Sequence, residues 1–210
     1  MGRRNDHSRE EIREMALQAA ESIVVEQGLA GLSARKIAVR IGYTVGSLYL
    51  VFRNLDDLIA QVNERTLDEL FETLKAAVSD HQLSPRKCIL ALGRAYIDYA
   101  VTHSHRWKMI FEHRMPEGES VPDSFKERVA RMFALVQDHL QHLSAQRSAA
   151  QLELAAQALW SGVHGVCILG LDQKLQATSG GRSVQEVADS LLENYLDGFT
   201  AKKRSPAPKK

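Results

Sequence analysis

An all-α chain is what the sequence predicts, and three observations predict it. Apolar residues recur at three- and four-residue spacing along most of the chain, while the alternation of a half-buried strand is missing. Only 5 prolines interrupt 210 residues. Segment after segment opens with a helix-start signal, a Ser, Thr or Asn cap, a Ser-x-x-Glu box or Ser-Pro. The reading is about nine helices in three parts: a small helix-turn-helix head (1–54), a larger helical body (55–200) and a basic tail (201–210).

The elements follow in order. Ser8 caps the first helix with Glu11 as its capping-box partner, and Ile12, Met15, Ala16, Ala19, Ala20 and Ile23 form its buried stripe. Gly28 ends it at a position that favours positive φ. Ser33 caps the second helix, which turns Ile37, Ala38 and Ile41 inward and stops at Gly42. Thr44 caps the third, expected to run to about Phe52. Asn54 caps the fourth with Asp57 as reciprocal partner, and Ile59, Val62, Leu67, Leu70 and Leu74 carry it to about Ser79. Ser84-Pro85 opens a fifth helix reaching about His103, and a short apolar-aromatic sixth spans 104–112. The stretch HRMPEGESVPD reads as a loop. Helices over 123–143, 149–171 and 183–200 complete the body, the last with a Ser183/Glu186 capping box. ATSGGRS between the last two is read as a flexible connection, and the tail as disordered.

Composition narrows the class. A hydrophobic fraction of 44% and a charged fraction of 25% are ordinary for a globular protein. No uninterrupted apolar run of membrane-spanning length occurs, and MGRRNDHSREE lacks the apolar region of a secretion signal. A cytoplasmic protein away from membranes is expected, with Cys88 and Cys167 as free thiols. Net charge is +1, unevenly placed: the head carries +2, the last ten residues +5 and the remainder −6. A mildly basic head on an acidic body suits a chain that sets one end against phosphate. No nucleophile elbow, phosphate loop or paired-carboxylate motif appears, so neither an enzyme nor a cofactor is expected. His139 and His142 stand at i,i+3, a zinc-compatible spacing, and His103, His105 and His113 surround the sixth helix. Without a cysteine cluster or completing carboxylate they read as solvated side chains, with no metal site.

The second and third helices are too short to persist alone and must pack on the first and fourth. Ile37, Ile41, Leu48 and Phe52 are the expected shared core. Val45, Gly46, Ser47, Tyr49 and Leu50 are left outward. Gly46 costs a helix about 1 kcal/mol relative to alanine, which suits a backbone that another surface approaches closely. Ser47 and Tyr49 offer hydroxyls to phosphate or base edges, and Arg35 reaches phosphate or guanine. Such a helix-glycine-helix is how a small domain presents a helix to the major groove.

Residues 8–58, through SREEIREMALQAAESIVVEQGLAGLSARKIAVRIG and YTVGSLYLVFRNLDDL, resemble the N-terminal domain of the TetR/AcrR transcriptional regulators. The resemblance implies a homodimer reading a palindromic double-stranded DNA operator. By position it implies contacts from Ser33, Arg35, Thr44, Val45, Gly46, Ser47, Tyr49 and Arg53. The chain departs from the family at Val51, where histidine or lysine is common, and at Leu55, where lysine often meets phosphate. Both departures imply less positive charge at the contact surface.

LWSGVHGVCILGL (159–171) is the second informative stretch. Its Trp160-x-x-x-His164-Gly165 pattern resembles the C-terminal domain of a TetR subgroup marked by a Trp-His-Gly signature. Gly162, Gly165 and Gly170 suggest close approach of another backbone. The resemblance implies dimerisation through the last two long helices, with Leu152, Ala156, Leu159, Val163, Leu191 and Tyr195 as candidate interface residues. Tyr96, Tyr99, Trp107, Phe111, Trp160 and His164 are candidate lining for a small apolar or amphipathic effector, although each also reads as packed core. The expectation is a ligand-responsive repressor. An activator, a ligand-independent DNA binder, or a helical small-molecule-binding or enzymatic protein with a vestigial head are the alternatives.

Overall fold

The computed structural model describes residues 7–178 and 180–201, and every regular element among them is helical. The helices are α1 (Arg9–Gln27), α2 (Ala34–Ile41), α3 (Val45–Leu48), α4 (Leu55–Ala77), α5 (Pro85–Thr102), α6 (Ser104–Glu112), α7 (Asp123–Leu143), α8 (Ala149–Leu171), α9 (Lys174–Thr178) and α10 (Val184–Thr200), with a 3-10 turn at Leu29–Gly31. The nine expected helices are all present. The additional α9 takes up part of the stretch expected to be a flexible connection. α3 is a single turn that loosens into turns after Leu48 instead of continuing to Phe52. The basic tail beyond Ala201 lies outside the described residues.

The capping signals at Ser8, Ser33, Thr44 and Ser183 act as read, each accepting the backbone N–H three residues on, and Ser148, which the sequence reading did not single out, does the same for α8. Gly42 ends α2 with φ 76°, in the left-handed region where a Cβ would be strained. The α4 cap differs in detail. Asn54 Oδ1 accepts from Asp57 N at 2.7 Å, but Asp57 reaches back to Arg53 N (2.9 Å).

The chain folds as two compact units, one from 1–71 with 102–130, the other from 72–101 with 131–210. The first has a core in which Ile12, Leu17, Ile23 and Val24 of α1 meet Ile37 and Ala38 of α2. Leu48, Val51 and Phe52 join that core, as do Leu58, Ile59 and Val62 of α4 and Met109 of α6. Val51 and Leu55 are therefore not lost contacts on an outer surface. Val51 is buried, and Leu55 packs against the same cluster, so apolar side chains there serve the fold. Two of the histidines around α6 are engaged in the fold, His113 nearly buried and His105 exposed but hydrogen-bonded. His105 Nδ1 donates to the Val25 carbonyl at 2.9 Å, and His113 Nε2 lies 2.9 Å from Asp56 Oδ1 in the first turn of α4. Arg106 pairs with Glu69 (2.6 Å), and Arg128 with Asp68 (3.0 Å).

In the second unit α8 packs mainly on α10, and α5 meets α10 through Gly93, where a Cβ would collide with the buried Leu192. Gly162 and Gly170 likewise make room, but for the side chains of Leu191 and Val184 and not for another backbone, while Gly165 faces open space. Arg94 is bidentate to Asp189 (3.1 and 2.9 Å) and Arg86 pairs with Asp197 (2.7 Å). Arg147 lies 4.2 Å over the Phe199 ring and donates to the Phe199 carbonyl at 2.6 Å. α8 alone among the described helices is long and apolar enough to cross a membrane by length and composition, with a mean hydropathy of 1.5. Its Leu152, Ala155, Ala156, Leu159, Val163, Val166 and Cys167 face are core of this unit.

Leu48 is the only buried residue of α3. Leu48→Ala is expected to lower the unfolding free energy by about 2–5 kcal/mol, the usual cost of emptying a buried leucine site. Urea denaturation measures this, and a loss below about 1 kcal/mol would show that α3 does not depend on its anchor.

Candidate nucleic-acid interface

α3 is positioned from below by three buried side chains, Leu48, Val51 and Phe52. Arg13 of α1 completes the mounting. Its guanidinium donates to the Val51 carbonyl (2.7 Å) and to Gln61 Oε1 on α4 (2.6 Å), and lies 5.0 Å over the Phe52 ring. The turn after α3 is thus tied to both flanking helices, which satisfies a carbonyl that the short helix leaves over.

What this mounting presents is a nearly uncharged surface. Thr44, Gly46, Tyr49 and Leu50 are exposed, and Ser47 and Val45 half-exposed. Thr44 Oγ1 accepts from Ser47 N (3.2 Å) and lies 3.0 Å from Ser47 Oγ, so both hydroxyls also serve the cap. Val45 packs partly on the core. Ser33 Oγ likewise caps α2 by accepting from Lys36 N at 3.3 Å. Gly46 is informative because the fold does not require it. Its φ is not positive, and an added Cβ would meet only Thr44 Oγ1 at an ordinary 3.6 Å.

Of the cations on and around α2 and α3, some are engaged in the fold and others are exposed, while Arg9 is exposed at the start of α1. Arg40 is bidentate to Glu26 (2.9 and 2.8 Å), which holds that carboxyl below the usual carboxylate range. Lys36 Nζ is bound to Gln27 and the Gly31 carbonyl (2.7 and 2.8 Å), and Arg13 is internal. Arg35 is exposed on the first turn of α2, and the Arg53 side chain is 72% exposed with Asp57 at 3.6 Å. These two flank the uncharged stretch. Leu50 and Arg13 escaped the sequence-derived site. The signal for Leu50 was there, an apolar residue next to Tyr49 on an outward face. The role of Arg13 depends on tertiary partners 38 and 48 residues away and has no local signal.

In the second unit the structure brings Tyr96, Trp160 and His164 together. Tyr96 Oη and His164 Nδ1 are 2.9 Å apart, and the Trp160 and His164 ring centroids 5.2 Å apart. Phe133, which no sequence pattern singled out, meets Trp160 edge-on at 5.7 Å. Tyr99 is buried in this unit. Trp107 and Phe111 belong to the first unit, where they pack edge-on at 5.1 Å. Of the candidate interface residues, Leu152, Ala156, Leu159 and Val163 are buried within the chain, and Leu191 and Tyr195 are half-buried. Burial pushes the Cys167 thiol up to about 12 and raises Cys88, so both favour the protonated form. Among the described residues no group of three His, Cys, Asp or Glu is placed to hold a metal.

Comparison with known proteins agrees with this geometry. A model of bacterial regulatory proteins of the tetR family matches residues 16–62, and one of the tetracyclin repressor-like C-terminal domain matches residues 89–195. HTH-type transcriptional regulators of Mycobacterium tuberculosis and Mycobacterium bovis are 27% identical over 124 residues, 59% of this chain and 53% of theirs. The chain thus spans about half the length of the curated relatives it matches. A solved protein of unknown function from Rhodococcus sp. RHA1 is similar in fold with TM-score 0.75 at 20% identity, over 95% of this chain and 100% of that one. A TetR-like transcriptional regulator from the same organism gives TM-score 0.62 at 23% identity, again over 95% and 100%.

Burial depresses the pKa of His164, and of His139 on α7, because the charged ring loses hydration. Both rings therefore favour the neutral form in the folded chain, whereas the unfolded chain takes up protons once pH falls through about 6.5. Stability from this source is intact above that pH and declines below it, until the folded-state pKa is also passed. His164→Gln is expected to lose less melting temperature between about pH 7 and pH 5 than the parent chain. Equal losses would show that His164 is not the group responsible.

Proposed function

The chain belongs to the TetR family of bacterial regulatory proteins, and from that premise we propose a homodimeric transcriptional repressor, cytoplasmic, that binds a palindromic operator and is released by a small apolar or amphipathic effector. Residues 1–54 are the DNA-reading part and 55–200 the sensing and dimerising part. The observation that carries the reading is the mounted, outward face of α3. A single turn of helix is fixed on three sides while displaying exposed polar and apolar side chains and a glycine that its own fold does not need. The glycine is explained if a DNA backbone or base edge comes close. Arg35 and Arg53 supply phosphate contacts beside it.

Two such heads must stand about 34–36 Å apart to enter successive major grooves of one duplex. α8 and α10 are the helices we assign to pairing. α8 is apolar around most of its circumference, and beyond its core stripe it exposes Leu154 and Leu169, about 60° apart around the helix, on a side suited to a second copy. The Tyr96–His164–Trp160 group is the polar-aromatic cluster we assign to the effector. To carry occupancy from nearly full to nearly empty, the effector must favour one head spacing over the other by about 5.5 kcal/mol.

Gel shifts with operator duplexes selected from a random pool test the reading. Tyr49→Ala and Arg35→Ala are each expected to weaken binding at least about tenfold, in the range of a lost hydrogen-bonded or charged DNA contact. Gly46→Ala is expected to weaken binding as well while leaving the chain as stable as before or slightly more so. Unchanged affinity in all three would remove α3 and Arg35 from the interface.

A further inference from the structure

Residues 43–52, YTVGSLYLVF, hold no Arg, Lys, His, Asn, Gln, Asp or Glu. That composition limits which bases α3 can distinguish. Guanine is read best by the fork of Arg or by Lys, adenine by the paired donor and acceptor of Asn or Gln, and cytosine by a carboxylate. None of these groups is on this face. Hydroxyls discriminate poorly, because they donate and accept with equal ease, and here Thr44 and Ser47 are already engaged in capping α3. Thymine is the base that adds an apolar feature to the major groove, its C5 methyl.

The side chains that stand furthest out match that feature. Leu50 is 65% exposed and Tyr49 48% exposed. Leu50 is not needed by the core, since Leu48, Val51 and Phe52 on either side of it already fill the site beneath α3. Left in water, it forgoes the stabilisation that covering would bring.

Resting on the reading that α3 faces the major groove, we infer that Leu50 is a specificity residue which, with the Tyr49 ring, covers thymine C5 methyl groups in each operator half-site. Base preference at these positions is then set by the methyl and not by hydrogen bonds to a guanine edge. Arg35 and Arg53, at the margins of the uncharged stretch, hold phosphates and fix the register.

The test uses the full chain and a duplex it selects from a random pool. Each thymine is replaced singly by deoxyuridine, which keeps base pairing and removes only the methyl. At one or more half-site positions the affinity is expected to fall about threefold to fivefold, the size expected for one buried methyl. In Leu50→Ser the same replacement should make little further difference, because the methyl has already lost its cover. Putting 5-methylcytosine in place of such a thymine, opposite guanine, should bind better than unmethylated cytosine. A selected duplex that stays fully bound through every deoxyuridine replacement overturns the inference and leaves the DNA-reading assignment standing. Failure to select any duplex brings down both.

Discussion

A helix of four residues has no stability of its own, since nucleating a turn fixes several dihedrals for very little hydrogen bonding. α3 exists because its surroundings hold it: Leu48 is buried beneath it, Val51 and Phe52 behind it, and the Arg13 guanidinium joins the Val51 carbonyl to Gln61. Every functional statement about the head depends on that constraint. Because the inward side chains satisfy the core, the outward ones are released from it, and a surface of glycine, hydroxyls, an aromatic ring and a leucine can be kept rigid. A rigid reader loses less conformational entropy on binding than a loop would.

The same division explains the charges. The head has an excess of cations in its sequence, and Arg13, Lys36 and Arg40 among them are engaged inside the fold. Arg40 faces Glu26, Arg13 joins the turn after α3 to Gln61, and Lys36 ties the end of α1 to α2. Arg35 and Arg53 stay exposed at the edges of an uncharged strip, and Arg9 is exposed at the start of α1. Exposed ion pairs of this kind add little stability individually. Their larger effect is to decide which cations remain available.

Much of this was legible in the residues. The caps Ser8, Ser33, Thr44 and Ser183 were visible as local spacing patterns because capping is a three-residue interaction, whereas Ser148 was passed over. The core of the first unit followed from helical periodicity at Ile12, Ile23, Ile37 and Leu48. The rest turned on distant partners. Nothing local separates a histidine in water from His113 beside Asp56, 57 residues away. Val51 and Leu55 looked like missing charges because position alone cannot say which way a side chain points after a helix loosens, and here it turns into the core. The apolar stripe of α8 could serve an internal or an external partner, and only the packed chain shows Leu152, Ala156, Leu159 and Val163 taken up by its own core. Phe133 became part of the Tyr96–His164–Trp160 group through a tertiary contact across 27 residues of sequence.

The central claim is that the mounted face of α3 touches nucleotides. Backbone amide shifts recorded by NMR during titration with a selected duplex test it most directly. The account predicts that the largest changes fall on Thr44–Leu50, with smaller ones at Arg35 and Arg53, while the amides of Leu152–Val163 on α8 stay in place. Changes centred on any other segment, with Thr44–Leu50 unmoved at saturation, would contradict it.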